Sequence, residues 1–357
     1  MTASRSEAVT QSKDPFHSDA TPCRNRRFLK RIRTDREKRF EATGICAPRR
    51  RCFTFNKPYQ PTETQTTLPI YQAVVLAIIQ GFAEFIPVSS SAHLIIVRRL
   101  LGWNELSPAH ELSFDVALHF GTLLSVLFYF RRTWFQIVRA ALGGKVVRFS
   151  EAGGSDVNLT ADEQKEERML LWFLAAATIP GAIAGKLLEH SAEDYFREHI
   201  VLIAAALIVV ALLMWLGEKV SRMEKPLTRI SLTDALLVGV AQAAALIPGV
   251  SRSGSTITAG LFRNMTREAA VRFSFLLSTP IIAGAALVKA RELHKEGLPA
   301  GMQMPVLVGI LVSAIVGYAA ISWLVRYLSS NSLKIFIVYR IVLGIVVIVL
   351  AYVWHLQ

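Results

Sequence analysis

Cysteine is scarce in this chain of 357 residues: there are three, Cys23, Cys46 and Cys52, and all lie among the first 68 residues. Their odd number argues against a disulfide framework, and their spacings match no zinc motif. Nucleotide-binding signatures are missing too, since neither a Walker P-loop nor a G-x-G-x-x-G turn opens a helix. No G-x-S-x-G elbow occurs either. These absences argue against disulfide-stapled folds, zinc sites and nucleotide-dependent enzymes.

Charge is also sparse outside the N-terminal region. Charged residues make up 19% of the sequence and hydrophobic residues 52%, and the mean hydropathy is +0.38. A soluble helical protein needs a polar face on each helix. Most of the sequence after residue 68 has none, which predicts an integral membrane protein.

The first 68 residues differ from the rest in composition. They carry fifteen Lys/Arg and seven Asp/Glu, and so supply most of the net charge of +13. A basic run can indicate nucleic-acid binding, but no nucleic-acid fold signature accompanies this one, and no apolar signal-peptide segment is present. We predict a basic, disordered extension over 1–68 and a membrane domain over 69–357. A start site chosen too far upstream would also explain the abrupt change at Leu68.

Six stretches are apolar for about the 20 residues that a helix needs to cross the hydrocarbon layer. Each predicts one transmembrane helix. They are residues 112–130, 169–188, 199–217, 269–288, 304–325 and 333–354.

Two further apolar segments break near their middle. The first, 69–101, breaks at Pro87 and a serine triplet, and the second, 232–262, breaks at Pro248-Gly249. Each predicts a helix, a polar turn and a second helix, a re-entrant hairpin that is tolerated at membrane depth only where it faces protein or water. Both contain a glutamine several residues before an Ile-Pro pair and then serines.

The order of the segments is hairpin, three spans, hairpin, three spans. Because three spans separate the hairpins, the second hairpin enters from the opposite side, which is typical of an inverted-topology repeat. The predicted fold is therefore an all-α polytopic membrane protein with six transmembrane helices and two re-entrant helix-turn-helix hairpins. Repeat one covers 69–217 and repeat two covers 231–357.

Loop charge predicts the orientation. Loop 131–168 carries seven Lys/Arg and loop 218–230 carries four, whereas loop 189–198 carries one, Arg197, among four acidic residues. Basic loops face the cytoplasm. We therefore predict that the first hairpin opens to the outside and the second to the cytoplasm.

The first polar turn concentrates ionisable and hydroxyl groups. Gln80 and Glu84 are four residues apart and share a helix face. A carboxylate in an apolar run is a functional candidate by default, although a buried structural pair is the plainer alternative. Ser89, Ser90 and Ser91 follow, and one of them is expected to cap the next helix. His93 lies three residues after Ser90, where a neutral imidazole could take a serine proton.

The second turn predicts an anion site. Arg252 offers a guanidinium that matches phosphate oxygens, and it sits among glycines and hydroxyls at a helix start, where free N–H groups favour an anion. An arginine that merely reaches the membrane interface is the alternative, but it leaves the surrounding residues unexplained. The neighbours expected to contribute are Ser251, Ser253, Gly254 and Thr256.

Gln80–His93 and Pro248–Thr256 resemble the two signature regions of the undecaprenyl-diphosphate phosphatase family that confers bacitracin resistance. The resemblance covers residues 69–357. Many members have glutamate where this chain has Gln80.

The resemblance implies hydrolysis of the terminal phosphate of a C55 isoprenyl diphosphate in the bacterial cytoplasmic membrane, at a site reachable from its outer face. This would recycle the lipid carrier of peptidoglycan synthesis. It also implies a divalent cation, Mg²⁺ or Ca²⁺, for which Glu84 and Gln80 are the candidate ligands.

On this basis we predict Ser90 as the nucleophile, His93 as its base and Arg252 as the diphosphate clamp. Glu84 would bind the metal or orient His93. Ser89, Gly254 and the hydroxyls of Ser251, Ser253 and Thr256 would bind the phosphates. Attack by an activated water instead of Ser90 stays open.

Two other functions compete with hydrolysis. A transporter or flippase of a phosphorylated lipid could use the same anion site, since broken helices in inverted repeats are transporter architecture. A membrane anchor for nucleic acid would leave Glu84, His93 and Arg252 unexplained. The expected partners are therefore the lipid substrate and membrane lipids and not nucleic acid, with homo-oligomerisation left open.

Three ionisable residues lie inside predicted spans but outside the two turns. Asp115 and His119 are four apart in the first span, and Arg340 lies in the last. Such groups commonly pair with one another in membranes. We predict that they form a structural polar network, with a role in the site as the alternative.

Overall fold

The computed structural model describes residues 68–103, 106–144, 147–148, 157–158, 161–296 and 301–353. Apart from Leu68, the predicted N-terminal extension lies outside these residues, and so do the three cysteines. The subdivision of the membrane domain into two repeats stays a prediction.

The described residues are almost entirely helical. One short antiparallel pair of strands, β1 (Val147–Arg148) and β2 (Val157–Asn158), lies between the fourth and fifth helices, and 3₁₀ turns cover Leu227–Arg229 and Ala244–Leu246. The α-helices are α1 (Ile70–Phe85), α2 (Ser90–Leu101), α3 (Pro108–Tyr129), α4 (Arg131–Ala141), α5 (Ala161–Glu198), α6 (Ile200–Val220), α7 (Leu232–Ala243), α8 (Arg252–Phe262), α9 (Arg267–Glu296), α10 (Gln303–Leu328) and α11 (Lys334–Val353).

Six helices of the described part are long and apolar enough to cross a membrane, which confirms the predicted number of spans. They lie within α3, α5, α6, α9, α10 and α11, and each end is within three residues of the prediction. Two of these helices contain an internal proline, Pro180 in α5 and Pro280 in α9. The protein is therefore a multi-pass helical membrane protein.

The two interrupted segments each form two helices joined by a turn. α1 and α2 flank Ile86–Ser89, and α7 and α8 flank the 3₁₀ turn and Ile247–Ser251. The last residue of each turn has the same unusual backbone: Ser89 has φ 76°, ψ 98°, and Ser251 has φ 71°, ψ 120°. A positive φ in a non-glycine residue is costly and clusters at functional sites. The two turns thus share a strained geometry at the residue immediately before the second helix.

Lipid tails are as apolar as the helices, so the hydrophobic effect does not drive helices together in a membrane. Close helix packing in the membrane part depends instead on small residues. α10 contacts both α1 and α3. At Gly121 in α3, an added Cβ would overlap the hydroxyl oxygen of Ser313 and the carbonyl oxygen of Ile310. At Gly317 in α10, it would lie 2.6 Å from Ser125 Oγ. These glycines allow α10 to approach its neighbours at backbone distance.

A buried carboxylate organises the connection between α6 and α7. Asp234 is fully buried, receives hydrogen bonds from Lys225 Nζ and Arg263 Nε, both at 2.7 Å, and forms a capping box with Ser231 at the start of α7. Burial raises the pKa of the Asp234 carboxyl, but the hydrogen bonds outweigh it and hold this pKa well below its ordinary value. The charged form therefore holds the loop to the end of α8.

Candidate active site

The two turns meet at a cavity of about 250 Å³. Its polar wall comes from the turns and from α3, and its apolar wall comes from α2, α3 and α9. The polar lining residues are Glu84, Ser89, Ser90, Ser91, Asp115, His119, Gln242, Ser251 and Arg252, and the apolar ones include Leu94, Ile95, Leu112, Val116, Leu246, Ile281 and Ile282. A lining that combines polar and apolar side chains fits an amphipathic ligand.

Glu84 is the centre of the polar wall. It is 6% exposed, and its Oε2 accepts hydrogen bonds from Ser90 Oγ at 2.6 Å and from Gln80 Nε2 at 2.8 Å. Its Oε1 accepts from Arg252 Nη2 at 2.8 Å, and His119 Nε2 lies 3.5 Å from Oε2. One carboxylate thus joins the first turn to the second.

Arg252 has unused hydrogen-bonding capacity. One nitrogen, Nη2, donates to Glu84, while Nε and Nη1 are buried without a hydrogen-bond partner among the described residues. Buried donors of this kind are expensive unless a ligand satisfies them. The guanidinium therefore has two N–H-bearing nitrogens available for an anion, and its role as the diphosphate clamp stays a prediction.

His93 does not pair with Ser90, which corrects the predicted nucleophile–base pair. The ring Nδ1 lies 2.7 Å from the carbonyl oxygen of Ser89 and so carries the proton, because a carbonyl can only accept. The other nitrogen, Nε2, lies 2.7 Å from the Tyr339 hydroxyl, and the two rings stack. The Ser90 hydroxyl donates to Glu84 instead. Glu84 likewise contacts His119 and not His93. The expectation that Glu84 orients His93 is therefore wrong.

The expected serine cap of α2 is not formed. Ser89, the residue before α2, makes no side-chain capping bond, and its hydroxyl lies 3.4 Å from that of Ser91. In the second turn, by contrast, Ser251 Oγ accepts from the backbone N–H of Gly254 at 3.1 Å.

Three of the predicted phosphate-binding residues have structural partners instead. Ser253 donates to the carbonyl oxygen of Ile86 at 3.3 Å, and Thr256 donates to that of Arg252 at 2.7 Å. Neither lines the cavity, and nor does Gly254, whose position would bring an added Cβ within 3.1 Å of Arg340 Nη1. Of the predicted phosphate binders, Ser89 and Ser251 line the cavity together with Arg252.

Arg340 explains how the two turns are held together. It is fully buried and donates from Nη1 to the carbonyl oxygen of Pro87 at 3.1 Å. Its Nη2 donates to the carbonyl oxygens of Gly249 at 2.7 Å and Val250 at 3.2 Å, and its Nε donates to that of Leu207 at 3.1 Å. A structural role was predicted for Arg340, but its partners are backbone carbonyls and not another ionisable residue.

The other two intramembrane groups have different roles. Asp115 forms a buried two-point ion pair with Arg98 of α2, at 2.9 and 2.5 Å, which is the kind of network expected. His119 donates from Nδ1 to the carbonyl oxygen of Asp115 at 2.7 Å and presents Nε2 to Glu84 and the cavity. His119 therefore lines the candidate site, and a role for it there stays a prediction.

The predicted metal ligands lie side by side. Glu84 accepts from Gln80 Nε2, and Gln80 Oε1 is buried without a hydrogen-bond partner among the described residues. No cluster of three or more His, Cys, Asp or Glu side chains suited to a metal occurs in that part of the chain. Mg²⁺ is usually bound by one or two carboxylates, waters and substrate phosphates. Glu84 lines the cavity and could share an ion with a phosphate ligand there, whereas Gln80 does not line it.

Comparison with known proteins assigns the family. Residues 73–346 match the family described as Bacitracin resistance protein BacA. The chain belongs to the BacA family. Similar proteins named undecaprenyl-diphosphatase include one from Trichlorobacter lovleyi, 43% identical over 79% of this chain and 97% of the relative. Others are from Geobacter sulfurreducens, 45% identical over 78% and 96%, and Pelotomaculum thermopropionicum, 42% identical over 80% and 97%.

The BacA assignment confirms the resemblance inferred from the two turns. It also confirms the predicted enzyme class, a membrane phosphatase. Both turns, the cavity and Arg340 fall inside the matched residues.

Proposed function

We propose that this BacA-family protein hydrolyses undecaprenyl diphosphate to undecaprenyl phosphate and inorganic phosphate. The observation that carries the proposal is the unsatisfied guanidinium of Arg252, whose Nε and Nη1 are buried beside Ser90 and Glu84. A diphosphate would satisfy both nitrogens with charge-assisted hydrogen bonds. The names of the relatives support the same substrate.

The shape of the cavity suits a lipid diphosphate. The polar wall formed by Glu84, Ser90 and Arg252 would take the head group, and the apolar side chains of α2, α3 and α9 would contact the first isoprenyl units. Helices α2 and α8 both begin at the polar wall, where their N-terminal N–H groups favour an anion. Most of the isoprenyl chain would then lie in the membrane.

The hydrogen bond between Ser90 and Glu84 suggests how the reaction begins. Ser90 Oγ would attack the terminal phosphorus while its proton passes to Glu84 Oε2, at 2.6 Å. The bond from this phosphorus to the bridging oxygen breaks, and undecaprenyl phosphate leaves. Water would then release inorganic phosphate from Ser90. Arg252 would stabilise the charge on the phosphoryl oxygens during the transfer.

A divalent cation fits this scheme as a partner of the diphosphate. Glu84 would hold it from the protein side, with Gln80 Oε1 as the second candidate ligand, and the ion would neutralise phosphoryl charge. Because Glu84 also contacts Ser90 and Arg252, ion binding would rearrange hydrogen bonds within this cluster.

We further propose an inverted-topology repeat with re-entrant hairpins in the bacterial cytoplasmic membrane. The matching backbone of Ser89 and Ser251 supports the repeat, and the Lys/Arg-rich loops 131–168 and 218–230 support a cytoplasmic location for those loops. The site would then be reached from the outer face. The cellular role would be recycling of the lipid carrier for peptidoglycan synthesis, and bacitracin resistance would follow.

Phosphate release from undecaprenyl diphosphate by the purified full-length protein in detergent tests the proposed function. We expect multiple turnovers with added Mg²⁺ and a marked loss with EDTA. If no phosphate is released but reconstituted protein moves the lipid diphosphate across vesicle membranes, the protein is a transporter and the proposal is wrong.

A further inference from the structure

Gln242, at the end of α7, is a buried amide without a hydrogen-bond partner. Its side chain is 4% exposed, and neither Nε2 nor Oε1 has a partner within the described ranges. An unsatisfied buried amide destabilises the fold, because its hydrogen bonds to water are lost and not replaced. Such a group needs an explanation, which a hydrogen bond to a bound ligand would provide.

The position of Gln242 identifies where that ligand lies. Gln242 lines the same cavity as Glu84, Ser90 and Arg252. Next to it, Gly181 of α5 also lines the cavity, and an added Cβ there would lie 3.2 Å from Gln242 Nε2. The glycine leaves room beside the amide at the wall of the cavity.

Comparison of the two hairpins explains why this amide is unpaired. In the first hairpin, Gln80 donates to Glu84, four residues later on the same helix face. In the second hairpin, the residue four positions after Gln242 is Leu246, which is apolar. Gln242 therefore has no partner of that kind on its own segment.

We propose that Gln242 is a substrate-contacting residue whose amide N–H₂ donates to the phosphates of the lipid diphosphate in the cavity that Glu84 also lines. The inference rests on the proposed function. The amide is neutral, so it adds hydrogen bonds to the head group without further charge, and it complements the open nitrogens of Arg252. Gln242 would thus help to fix the head group and contribute to recognition of a diphosphate.

The test compares phosphate release and thermal unfolding for the wild type, Gln242→Leu, Gln242→Glu and the control Gln72→Leu. Gln72 is a buried glutamine of α1 that does not line the cavity, and its Nε2 donates to the Tyr71 hydroxyl at 3.3 Å. We expect Gln242→Leu to lower kcat/KM about tenfold to a hundredfold, since hydrogen bonds to charged groups are worth that much. Its Tm should equal or exceed that of the wild type, because an unpaired amide is replaced by an apolar group of similar size.

The other variants separate binding from packing. Gln242→Glu should raise KM further than Gln242→Leu, because a carboxylate repels the diphosphate. Gln72→Leu should keep wild-type kcat/KM. Gln242→Leu activity within twofold of the wild type, or a loss that merely follows a lower Tm, would overturn the inference. An inactive wild type would instead overturn the proposed function.

Discussion

The Ser90 hydroxyl donates its hydrogen bond to Glu84 Oε2 at 2.6 Å, while His93, on the next turn of the same helix, binds Tyr339. The base candidate for Ser90 is therefore a carboxylate from the other side of the turn. This relationship changes which pair of residues is expected to act as a unit.

We predict that Ser90→Ala and Glu84→Gln each lower kcat by about 10²- to 10⁴-fold, the range for proton transfer by a positioned group. The double variant should lose little more than the worse single variant, because groups acting as a unit are non-additive. Initial rates of phosphate release at saturating lipid measure this.

His93→Ala provides the contrast in the same assay. His93 contacts the backbone of Ser89 and not the hydroxyl of Ser90. His93→Ala should therefore lower kcat less than Ser90→Ala does. The fall in kcat of the double variant should equal the product of the two single falls. Non-additivity between Ser90 and His93, with additivity between Ser90 and Glu84, would restore the pair predicted from the sequence.

Arg340→Met should destabilise the fold more than it alters chemistry. The substitution leaves the buried carbonyls of Pro87 and Gly249 without their donor, at about 1–3 kcal/mol for each group. We expect a lower yield and a lower Tm in detergent, with a smaller effect on the specific activity of the folded fraction. Arg326→Met, at an exposed position of α10, should leave Tm unchanged. A normal yield and Tm for Arg340→Met would show that the two turns hold together without it.

The ion-pair cluster of Asp234 predicts acid sensitivity. Because its pKa is lowered in the folded state, Asp234 contributes stability at neutral pH. This contribution is lost as the pH falls below the unfolded value of about 3.9 towards the folded pKa. Asp234→Asn should lower the stability at pH 7 and weaken its dependence on pH below about 4.

Urea unfolding at several pH values measures both effects of Asp234→Asn. Glu268→Gln, which removes the i,i+4 pair between the exposed Glu268 and the half-buried Arg272, is the control and should change the pH dependence of stability less than Asp234→Asn does. Equal pH dependence in Asp234→Asn and the wild type would contradict the role of the cluster.

Two glycine-to-alanine substitutions test the packing of α10. Gly121→Ala should cost about 1–3 kcal/mol, since its Cβ would overlap Ser313 and a backbone carbonyl. Gly284→Ala, with nothing within 4 Å of the added Cβ, should be neutral or stabilising by about 0.5–1 kcal/mol. The order of the two melting temperatures in detergent measures the difference, and equal values would rule out close packing at Gly121.

The six spans and the two interrupted segments were predictable because they depend on local properties. A run of about 20 apolar residues indicates a spanning helix, and a proline followed by serines indicates a turn. Neither pattern depends on contacts with distant parts of the chain. Arg252 and Glu84 were recognisable for a similar reason, since each is an ionisable residue in an apolar segment.

The partners of these residues were not predictable, because they are distant in the sequence. Ser90 and His93 are three residues apart, but the imidazole turns to Tyr339, which is 246 residues from it along the chain. No local pattern indicates that Arg340 would reach both turns. His119 was weakly recognisable as a candidate site residue, because it is an ionisable group in a span. Gln242 was weakly recognisable because its place in the second interrupted segment matches that of Gln80 in the first.

The most direct test of the account is phosphate release from undecaprenyl diphosphate by Arg252 variants that remain folded. Arg252→Ala should lose nearly all activity, and Arg252→Lys should remain poor because a point charge cannot replace two open guanidinium nitrogens. Arg222→Ala, at an exposed site outside the cavity, should keep full activity. Near-normal turnover by Arg252→Ala, with Tm and membrane insertion like those of the wild type, would contradict diphosphate hydrolysis in this cavity.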